Sequence, residues 1–250
     1  MRFTFVALLS ASMSETTRGA SVPVSSSERA RAFERVYAEG RWLHGADGAT
    51  LCASGWSDVG SGQGAAALHA VVSVVNAFKI RSIADLPCGD GCFAGAMLAA
   101  LRNRTTTPPV AYVGVDIVRS LVERNRARLE DAATHFWEAD VVSDSAALPS
   151  AELIFSRQML QHLCTEDALR FVRNLARSNA RYVLLTTFTT GDDFINTDIP
   201  CASGGYRVQD LTKPPFSLPT PLMLFNEQYP VDRRVSLGLW PVRALRHRLL

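Results

Sequence analysis

Two glycines stand close to an acidic residue in the segment Asp85-Leu-Pro-Cys-Gly89-Asp-Gly91. The apolar run before this segment predicts a strand, and the run from Phe93 onward predicts a helix. Glycines at such a junction let the backbone turn tightly and approach a ligand closely, as in the phosphate-binding loop of dinucleotide-binding sheets. Because Gly-x-Gly turns also occur without a ligand, the pattern alone is weak evidence for a site.

Three acidic residues make the pattern more specific. Asp85 ends the predicted strand before the glycines, Asp116 ends the next predicted strand, and Asp140 follows the third. The carboxyl ends of parallel strands face one crevice, so the three carboxylates are expected beside the glycines. Each acid alone is equally well interpreted as a strand-end cap or a solvated loop residue. All three in order beside the glycines favour a ligand site.

The positions of the acids indicate the chemistry of this ligand. Asp116 suits a ribose, because a carboxylate accepts hydrogen bonds from both ribose hydroxyls. Asp85 would repel a pyrophosphate at the Gly loop and attract a positively charged group. A sulfonium that also carries an ammonium group meets these requirements, and that ligand is S-adenosylmethionine. The sequence therefore predicts a pocket for this methyl donor.

The elements that must position these residues alternate along the chain. Apolar runs predict strands over 82–86, 111–115, 134–139, 152–156 and 181–188, and helices over 93–102, 118–129 and 165–178, the last capped by Thr165. This alternation predicts a doubly wound, mostly parallel sheet with helices on both faces. The connection 141–151 leaves little room for a helix.

The regions on either side of this core have other patterns. A helix capped by Ser27 and stopped by Gly40 is predicted first, and Leu68 to Phe78 predicts a second helix. Prolines in 191–221 exclude a regular helix or a central strand there. The remaining apolar runs, 222–226 and 236–240, predict an antiparallel closing pair.

The predicted fold class is α/β: a single doubly wound, Rossmann-like sheet of seven strands, mostly parallel with an antiparallel closing strand, and an N-terminal helical cap. We divide the chain into a flexible or targeting segment (1–27), the helical cap (28–80), a cofactor-binding core (81–190) and substrate-side loops with closing strands (191–250).

Composition excludes several classes of protein. A net charge of +2 does not require a nucleic acid or an anionic membrane as partner. The Gly and Pro contents exclude collagen and a chain disordered throughout. Five cysteines without a Cys-x-x-Cys pair favour reduced thiols over a disulfide framework or a zinc site. No His/Asp cluster has metal-ligand spacing, so no metal is predicted.

The two termini leave alternatives open. Residues 1–12 have the outline of a short signal peptide, and a transit peptide or a disordered start fits as well. No apolar run approaches the roughly 20 residues that span a bilayer, so a soluble protein, cytoplasmic rather than exported, is favoured. The arginines from Arg233 to Arg248 could contact RNA or phosphate, but a solvated end is the simpler interpretation.

At the Gly loop the chain resembles the class I S-adenosylmethionine-dependent methyltransferases. The matching positions are Asp85-x-x-Cys88-Gly89-x-Gly91, the second-strand acid Asp116, and Asp140-Val141, which usually contacts the adenine. This resemblance covers roughly residues 65–190 and implies the fold and the methyl donor, but no acceptor. We predict that the donor-binding residues are Asp85, Cys88, Gly89, Gly91, Asp116, Ile117, Asp140, Val141, Arg157 and Gln158.

Over about residues 33–240 the chain also resembles a family of largely bacterial methyltransferase-like proteins with no settled substrate. The shared positions include Phe33-x-x-x-Tyr37, Trp42, Ser61-Gly62-Gln63-Gly64, the Pro-Cys-Gly-Asp loop, Arg157-Gln-Met-Leu-Gln-His162-Leu, Gly205-Tyr206-Arg207, Pro214-Pro215-Phe216, Glu227 and Leu237-Gly-Leu-Trp240. The chain departs from this family at Gly91 and Cys92, where relatives often carry an aromatic residue, and in its N-terminal extension.

Methyl transfer from a sulfonium is a direct displacement, so the reacting atoms must above all be oriented. A base is needed only for a protonated acceptor, and His162 is the candidate; a packed helix residue is the alternative. Arg157 is expected to contact donor or acceptor, or to pair with a motif acid. In class I methyltransferases the N-terminal helix and the segment after the fifth strand cover the pocket. This makes Tyr37, Trp42 and Arg207 the candidate acceptor-binding residues, with aromatic packing as the alternative.

The predicted function is S-adenosylmethionine-dependent methyl transfer to a small-molecule or glycan-like acceptor, at oxygen. Gly89-x-Gly91-x-x-Ala94 also satisfies the fingerprint of a NAD-dependent oxidoreductase. Asp85 and the closing strands disfavour that alternative. A catalytically inactive donor-binding module is the third possibility, and the sequence does not indicate an oligomeric state.

Overall fold

The computed structural model describes residues 24–43, 52–54, 58–60, 62–103, 109–229 and 232–250. The predicted targeting segment up to residue 23 and Ser61 of the Ser-Gly-x-Gly stretch lie outside the described residues. Among the described residues, no helix combines the length and the apolar character needed to cross a membrane.

A seven-stranded sheet forms the centre of the fold. Its strands are β1 Ser82–Asp85, β2 Ala111–Asp116, β3 Thr134–Glu138, β4 Leu153–Ser156, β5 Tyr182–Phe188, β6 Met223–Asn226 and β7 Val235–Pro241. The strand order is β3-β2-β1-β4-β5-β7-β6. The first five strands pair in parallel, and β7 is antiparallel to β5 and β6. The predicted α/β fold and its antiparallel closing pair are confirmed.

Helices flank this sheet. They are α1 Ser26–Ala38, α2 Gly62–Ala77, α3 Cys92–Arg102, α4 Arg119–Leu129, α5 Thr165–Arg177 and α6 Val242–Leu249, with a short 3-10 helix at Leu160–His162. The connection between β3 and β4, which is described throughout, contains no helix, as its length predicts. The N-terminal helical cap is present and begins at Ser26, inside the segment predicted to be flexible.

Two predicted helix starts are wrong. α1 is capped by Ser25, not Ser27: the Ser25 side chain accepts from the Glu28 N–H, and the Glu28 carboxylate accepts from the Ser25 N–H. Thr165 does not cap α5 either. Its own N–H donates to a carboxylate oxygen of Asp198 at 2.7 Å, so a distant loop satisfies this helix end.

The core consists of two apolar layers, one on each face of the sheet. Successive strand residues are buried on opposite faces, because helices cover a parallel sheet from both sides. Ile154 and Val183 belong to the layer under α5 and α6. Phe155 and Leu184 belong to the layer under α2 and α3. The sheet therefore provides a rigid base for the residues at its carboxyl edge.

The basic C-terminal segment packs on the fold through its apolar residues, while Arg243, Arg246, His247 and Arg248 are exposed. It forms α6, whose Leu245 is buried in the layer on α5. The Arg246 guanidinium donates to the carbonyls of Ala176 at 2.8 Å and Ser178 at 2.6 Å. These carbonyls lie at the end of α5, where the helix leaves acceptors unpaired. Arg246 thus joins α6 to the end of α5.

The prediction of reduced thiols is wrong. Disulfides join Cys52 to Cys92, with Cα atoms 5.7 Å apart, and Cys164 to Cys201, with Cα atoms 4.8 Å apart. Cys88 is free and buried. Both bonds connect a segment outside the sheet to the start of a helix beside its carboxyl edge. Sequence spacing did not reveal these pairs because about 40 residues separate the partners.

Candidate functional site

A cavity of about 640 Å³ lies at the carboxyl edge of the sheet. Its volume is in the range of small-molecule sites. Most of the predicted site residues line it: Tyr37, Trp42, Asp85, Cys88, Gly89, Asp116, Ile117, Asp140, Val141, Arg157, Gln158 and His162. Gly91 and Arg207 do not. The strands bring together Asp85 and Gln158, which lie 73 positions apart, because their ends share one edge.

The Gly loop is connected to the acid at the end of β2. The Gly89 N–H donates to Oδ2 of Asp116 at 2.9 Å, and the Val118 N–H donates to Oδ1 at 2.9 Å. Burial raises the pKa of Asp116 to about 6, although these backbone donors act in the opposite direction. The carboxylate therefore lies in the cavity without a cationic partner among the described residues.

Asp85, at the end of β1, is the second buried carboxyl group of the cavity. It accepts a hydrogen bond from the Tyr112 hydroxyl at 2.8 Å. Burial raises its pKa to about 7, and the hydroxyl lowers it less. Cys88, between the two acids, is buried, and burial raises its thiol pKa as well. Cys88 is therefore a neutral wall of the cavity.

The Asp90 side chain connects residues 53–54, which precede α2, to the Gly loop. Its Oδ2 accepts from the N–H groups of Ala53 and Ser54, while its own N–H donates to the Ser54 hydroxyl at 3.0 Å. Its Oδ1 accepts from the Cys92 N–H at 3.1 Å, at the start of α3. The N-terminus of this helix is thus already occupied by a carboxylate of the protein.

Gly91 is a turn residue and not part of the cavity wall. It precedes α3 with φ of 75°, and a Cβ at this position would lie 2.3 Å from Oδ1 of Asn125 on α4. The predicted donor contact of Gly91 stays a prediction, since this residue does not line the cavity. The loop needs glycine at this position for its backbone angle and for the close approach of α4.

Asp140, after β3, is bonded to α1. Its Oδ2 accepts from Arg29 Nη1 at 2.5 Å and from the Ser26 hydroxyl at 2.6 Å. Its Oδ1 accepts from the Val142 N–H at 3.0 Å. Arg29 also donates to Asp167 on α5 at 2.8 Å, and its side chain is only 4% exposed. This arginine, which the sequence analysis missed, fixes the cap helix over the β3 end of the cavity.

Arg157, after β4, is held by Glu227. Its Nε donates to Oε2 of Glu227 at 2.8 Å, and its guanidinium lies 5.0 Å from the ring centroid of Phe93. Glu227 also accepts from Gln63 at 3.2 Å and, weakly, from Gln158 at 3.5 Å. The guanidinium is therefore fixed at the cavity wall by an acid after β6 rather than by Asp85 or Asp116.

His162 ends the short helix after β4. Its Nδ1 lies 2.7 Å from the carbonyl oxygen of Gly205. Since a carbonyl only accepts, Nδ1 carries the proton and Nε2 has a free lone pair. Burial lowers the pKa of His162 to about 4, so the ring is neutral at physiological pH.

This imidazole is part of an aromatic cluster that consists of Phe33, Tyr37, Trp42, His162 and Tyr206. The Trp42 ring centroid lies 4.6 Å from His162, 5.4 Å from Tyr37 and 6.0 Å from Phe33. His162 lies 5.8 Å from Tyr206. The Tyr37 hydroxyl would be 3.3 Å from a Cβ on Gly89, so the cluster reaches the Gly loop.

Arg207 faces away from the cavity. Its guanidinium donates to the Thr165 hydroxyl at 2.8 Å and to the carbonyl of Thr197. Its neighbours Tyr206 and Val208 line the cavity instead. In extended backbone, successive side chains point to opposite sides. Arg207 therefore lies outside the cavity wall, whereas Tyr206 is part of it.

Among the described residues, one group of potential metal ligands lies close together: Cys164, Asp167 and Cys201. Both cysteines are in a disulfide, and Asp167 accepts from Arg29. A metal needs deprotonated thiols and free carboxylate oxygens. This donor set does not fit a metal ion.

The strand order, with its antiparallel seventh strand, is that of the Rossmann-like methyltransferase fold. The solved methyltransferase domain of bacterial CtHen1-CN has this fold: its TM-score is 0.52 at 15% identity, over 72% of this chain and 99% of that chain. Residues 84–182, which include the Gly loop, match the family model described as a methyltransferase domain.

Two further solved structures are similar over large parts of the chain. PigF with SAH has a TM-score of 0.49 at 14% identity, over 71% of this chain and 55% of that chain. The N-terminal domain of EvdMO1, crystallised in the presence of SAH and D-fucose, has a TM-score of 0.47 at 14% identity, over 84% and 94%. No curated protein matches the sequence.

Proposed function

We propose that this chain transfers a methyl group from S-adenosylmethionine to a small-molecule acceptor, at an oxygen atom. The observation that carries the proposal is the pair of buried carboxyl groups beside the Gly loop. Asp85 and Asp116 are 3% and 4% exposed, and neither forms an ion pair among the described residues. The match of residues 84–182 to a methyltransferase domain supports the same donor.

The two acids fit a cationic donor. Burial of an ionised carboxylate without a positive partner costs free energy, and the raised pKa of each acid reflects that cost. A ligand that brings an ammonium and a sulfonium would compensate the charge. A neutral or anionic ligand would not. We assign Asp116 to the ribose hydroxyls and Asp85 to the positively charged end of the donor.

The bound donor supplies an electrophilic methyl group. The protein's own contribution is orientation, which is worth several kcal/mol in favourable reactions, up to about 7–11. The Gly loop, the two acids and Arg157 hold the donor side of the cavity, and the aromatic cluster holds the other side. His162 offers a lone pair to a protonated acceptor through Nε2.

A dinucleotide fits this loop poorly. In dinucleotide-binding sheets the pyrophosphate lies at the helix N-terminus. Here the Cys92 N–H at the start of α3 is bonded to Asp90, a residue only 7% exposed. A pyrophosphate would face three carboxyl groups, those of Asp85, Asp90 and Asp116. This arrangement disfavours the oxidoreductase alternative.

The first experiment is calorimetric titration of the protein with S-adenosylmethionine, S-adenosylhomocysteine and NAD. We expect binding of the first two and none of NAD. Asp116→Ala should weaken binding at least about tenfold, a loss of about 1.4 kcal/mol. The matched control Asp192→Ala removes an exposed acid outside the cavity and should leave affinity unchanged.

NAD binding without S-adenosylmethionine binding would overturn the proposal in favour of an oxidoreductase. Donor binding that is followed by no transfer of labelled methyl to any acceptor pool would instead indicate the inactive binding module. Transfer from labelled donor to a small-molecule fraction, lost in Asp116→Ala, is the result that we expect.

A further inference from the structure

We propose that the acceptor is an uncharged aromatic molecule with a hydroxyl group, a phenol, that lies in the aromatic cluster with its hydroxyl at Nε2 of His162. This inference rests on the proposed function and narrows its acceptor from small molecules and glycans to one chemical class. It is argued from the rings, from the tautomer of His162 and from the charges around them.

The rings of the cluster contact one another and the cavity. Trp42 has ring neighbours on several sides, and His162 lies between Trp42 and Tyr206. Aromatic rings pack at centroid distances of about 4.5–7 Å, edge to face or offset. The distances here, from 4.6 to 6.0 Å, are in that range. A planar ligand would find the same contacts.

The tautomer of His162 selects the polar group of the acceptor. Because Nδ1 donates to the Gly205 carbonyl, Nε2 can only accept a hydrogen bond. No described residue donates to it. A hydroxyl supplies the hydrogen-bond donor that this nitrogen can accept from, whereas a carboxylate or a carbonyl oxygen would oppose it. The ring remains neutral at physiological pH because it is buried.

Asp85 and Asp116 are assigned to the donor, and the other charged groups that line the cavity are paired. Asp232 and Arg234, at the edge of the cavity, form two hydrogen bonds with each other, at 2.9 and 2.7 Å. Arg157 is paired with Glu227. An anionic acceptor would therefore have to displace an existing ion pair, and a cationic acceptor would have to do the same.

A sugar is a poorer fit than a phenol. A buried sugar needs a partner for each of several hydroxyls, and each one left unmatched costs about 1–3 kcal/mol. Two polar side chains beside the cluster are engaged: the Ser54 hydroxyl with Tyr37 and with the Asp90 N–H, and Gln158 with Glu227. Ring faces and one imidazole nitrogen match a single hydroxyl on an aromatic ring.

The reaction balances without a further reagent. The acceptor oxygen forms a bond to the methyl carbon, the bond between sulfur and that carbon breaks, and its electron pair goes to sulfur. The proton of the acceptor hydroxyl passes to Nε2 of His162 and then to water. The products are an aryl methyl ether and the thioether form of the donor.

The test uses the protein saturated with S-adenosylhomocysteine and titrated calorimetrically with 2-naphthol, methyl glucoside or 2-naphthoate. We expect 2-naphthol to bind at least about tenfold more tightly than either of the others. Equal or tighter binding of the glucoside or the naphthoate would overturn the inference, and so would the absence of 2-naphthol binding. Failure to bind S-adenosylhomocysteine would contradict the proposed function instead.

Two variants locate the acceptor. Trp42→Ala should weaken 2-naphthol binding about tenfold or more, while Trp137→Ala, a half-exposed tryptophan on β3 outside the cavity, should not change it. His162→Phe keeps a ring but removes the lone pair. It should retain S-adenosylhomocysteine binding and reduce formation of the methyl ether about a hundredfold. Unchanged ether formation in His162→Phe would rule out its role as the base.

Discussion

Nε of Arg157 lies 2.8 Å from Oε2 of Glu227, and the two side chains are 5% and 0% exposed. Arg157 follows a central strand, and Glu227 follows the edge strand β6, which lies on the far side of β7 and β5. The ion pair therefore connects the closing strands to the cavity wall. The carboxylate that Arg157 pairs with is thus Glu227 rather than either acid beside the Gly loop.

Removing Glu227 should destabilise the fold strongly. Glu227→Ala leaves the guanidinium of Arg157 buried without its partner, and breaking a buried pair costs about 3–5 kcal/mol. Urea denaturation measures this loss of unfolding free energy. In the double variant with Arg157→Met, part of it should be recovered, because no unpaired charge remains.

Glu123→Ala is the matched control for that measurement. Glu123 pairs with Arg119 one helical turn away, with both side chains more than half exposed. Such exposed pairs contribute about 0–1 kcal/mol. A loss of equal size in the two single variants would show that burial of the Glu227 pair has no energetic consequence.

Substitution by alanine should have opposite effects on stability at Gly91, which precedes α3, and at Gly95, which lies within this helix. At Gly91, φ of 75° and the approach of Asn125 to 2.3 Å from a Cβ make alanine strained, and we expect a loss of about 1–3 kcal/mol. At Gly95 the nearest atom is a Leu129 methyl at 3.6 Å. Alanine there should stabilise the helix by up to about 1 kcal/mol.

Thermal denaturation of Gly91→Ala and Gly95→Ala, compared with the wild type, checks this pair. The donor affinity of Gly95→Ala should not change, because Gly95 does not line the cavity. Equal effects on stability at the two positions would mean that neither backbone angle nor the contact with Asn125 determines the need for glycine at Gly91.

The grouping of the acids and the Gly loop at one edge of the sheet could be predicted from the sequence because it depends on local patterns. Asp85 and Asp116 each end an apolar run, and parallel strands bring their ends to one edge whatever the details of packing. The Gly loop lies between them in sequence. The structure places Asp85, Gly89 and Asp116 on one cavity for that reason.

The opposite side of the cavity could not be predicted in the same way, because it is built from irregular segments. Only the backbone shows that Tyr206, and not its neighbour Arg207, faces the cavity. Arg29 lies on the N-terminal helix, and its carboxylate partners lie 111 and 138 positions away. A buried arginine of this kind has no signal in one sequence.

The disulfide between Cys164 and Cys201 should contribute measurably to stability. It closes a loop of 37 residues between the start of α5 and the substrate-side segment. Disulfides of this kind contribute about 2–4 kcal/mol, chiefly by restricting the unfolded chain. The variant Cys164→Ser/Cys201→Ser, compared with the wild type in urea denaturation, measures the difference.

Reducing agent provides the control for that variant. It should lower the denaturation midpoint of the wild type. The midpoint of a variant in which serine replaces Cys52, Cys92, Cys164 and Cys201 should not change. A wild-type midpoint that is the same with and without reductant would show that these four cysteines are not bonded in the folded protein in solution.

Donor affinity should rise with pH through the range in which Asp85 titrates. The free protein holds a proton on Asp85 with a pKa of about 7 and on Asp116 with a pKa of about 6, both because of burial. A cationic donor favours the carboxylates, so binding releases protons below these values. Because the donor must displace the proton from Asp85, affinity for S-adenosylmethionine should fall about tenfold for each pH unit below 7.

The variant Asp85→Asn separates this effect from others. An amide oxygen can still accept from the Tyr112 hydroxyl, but it does not titrate. We expect weaker binding at pH about 8, where Asp85 is ionised, and a flatter pH profile that keeps only the change near the pKa of Asp116. Calorimetry in two buffers of different ionisation enthalpy counts the protons released. If the wild type released none between pH about 6 and 7, Asp85 would not face the charged end of the donor.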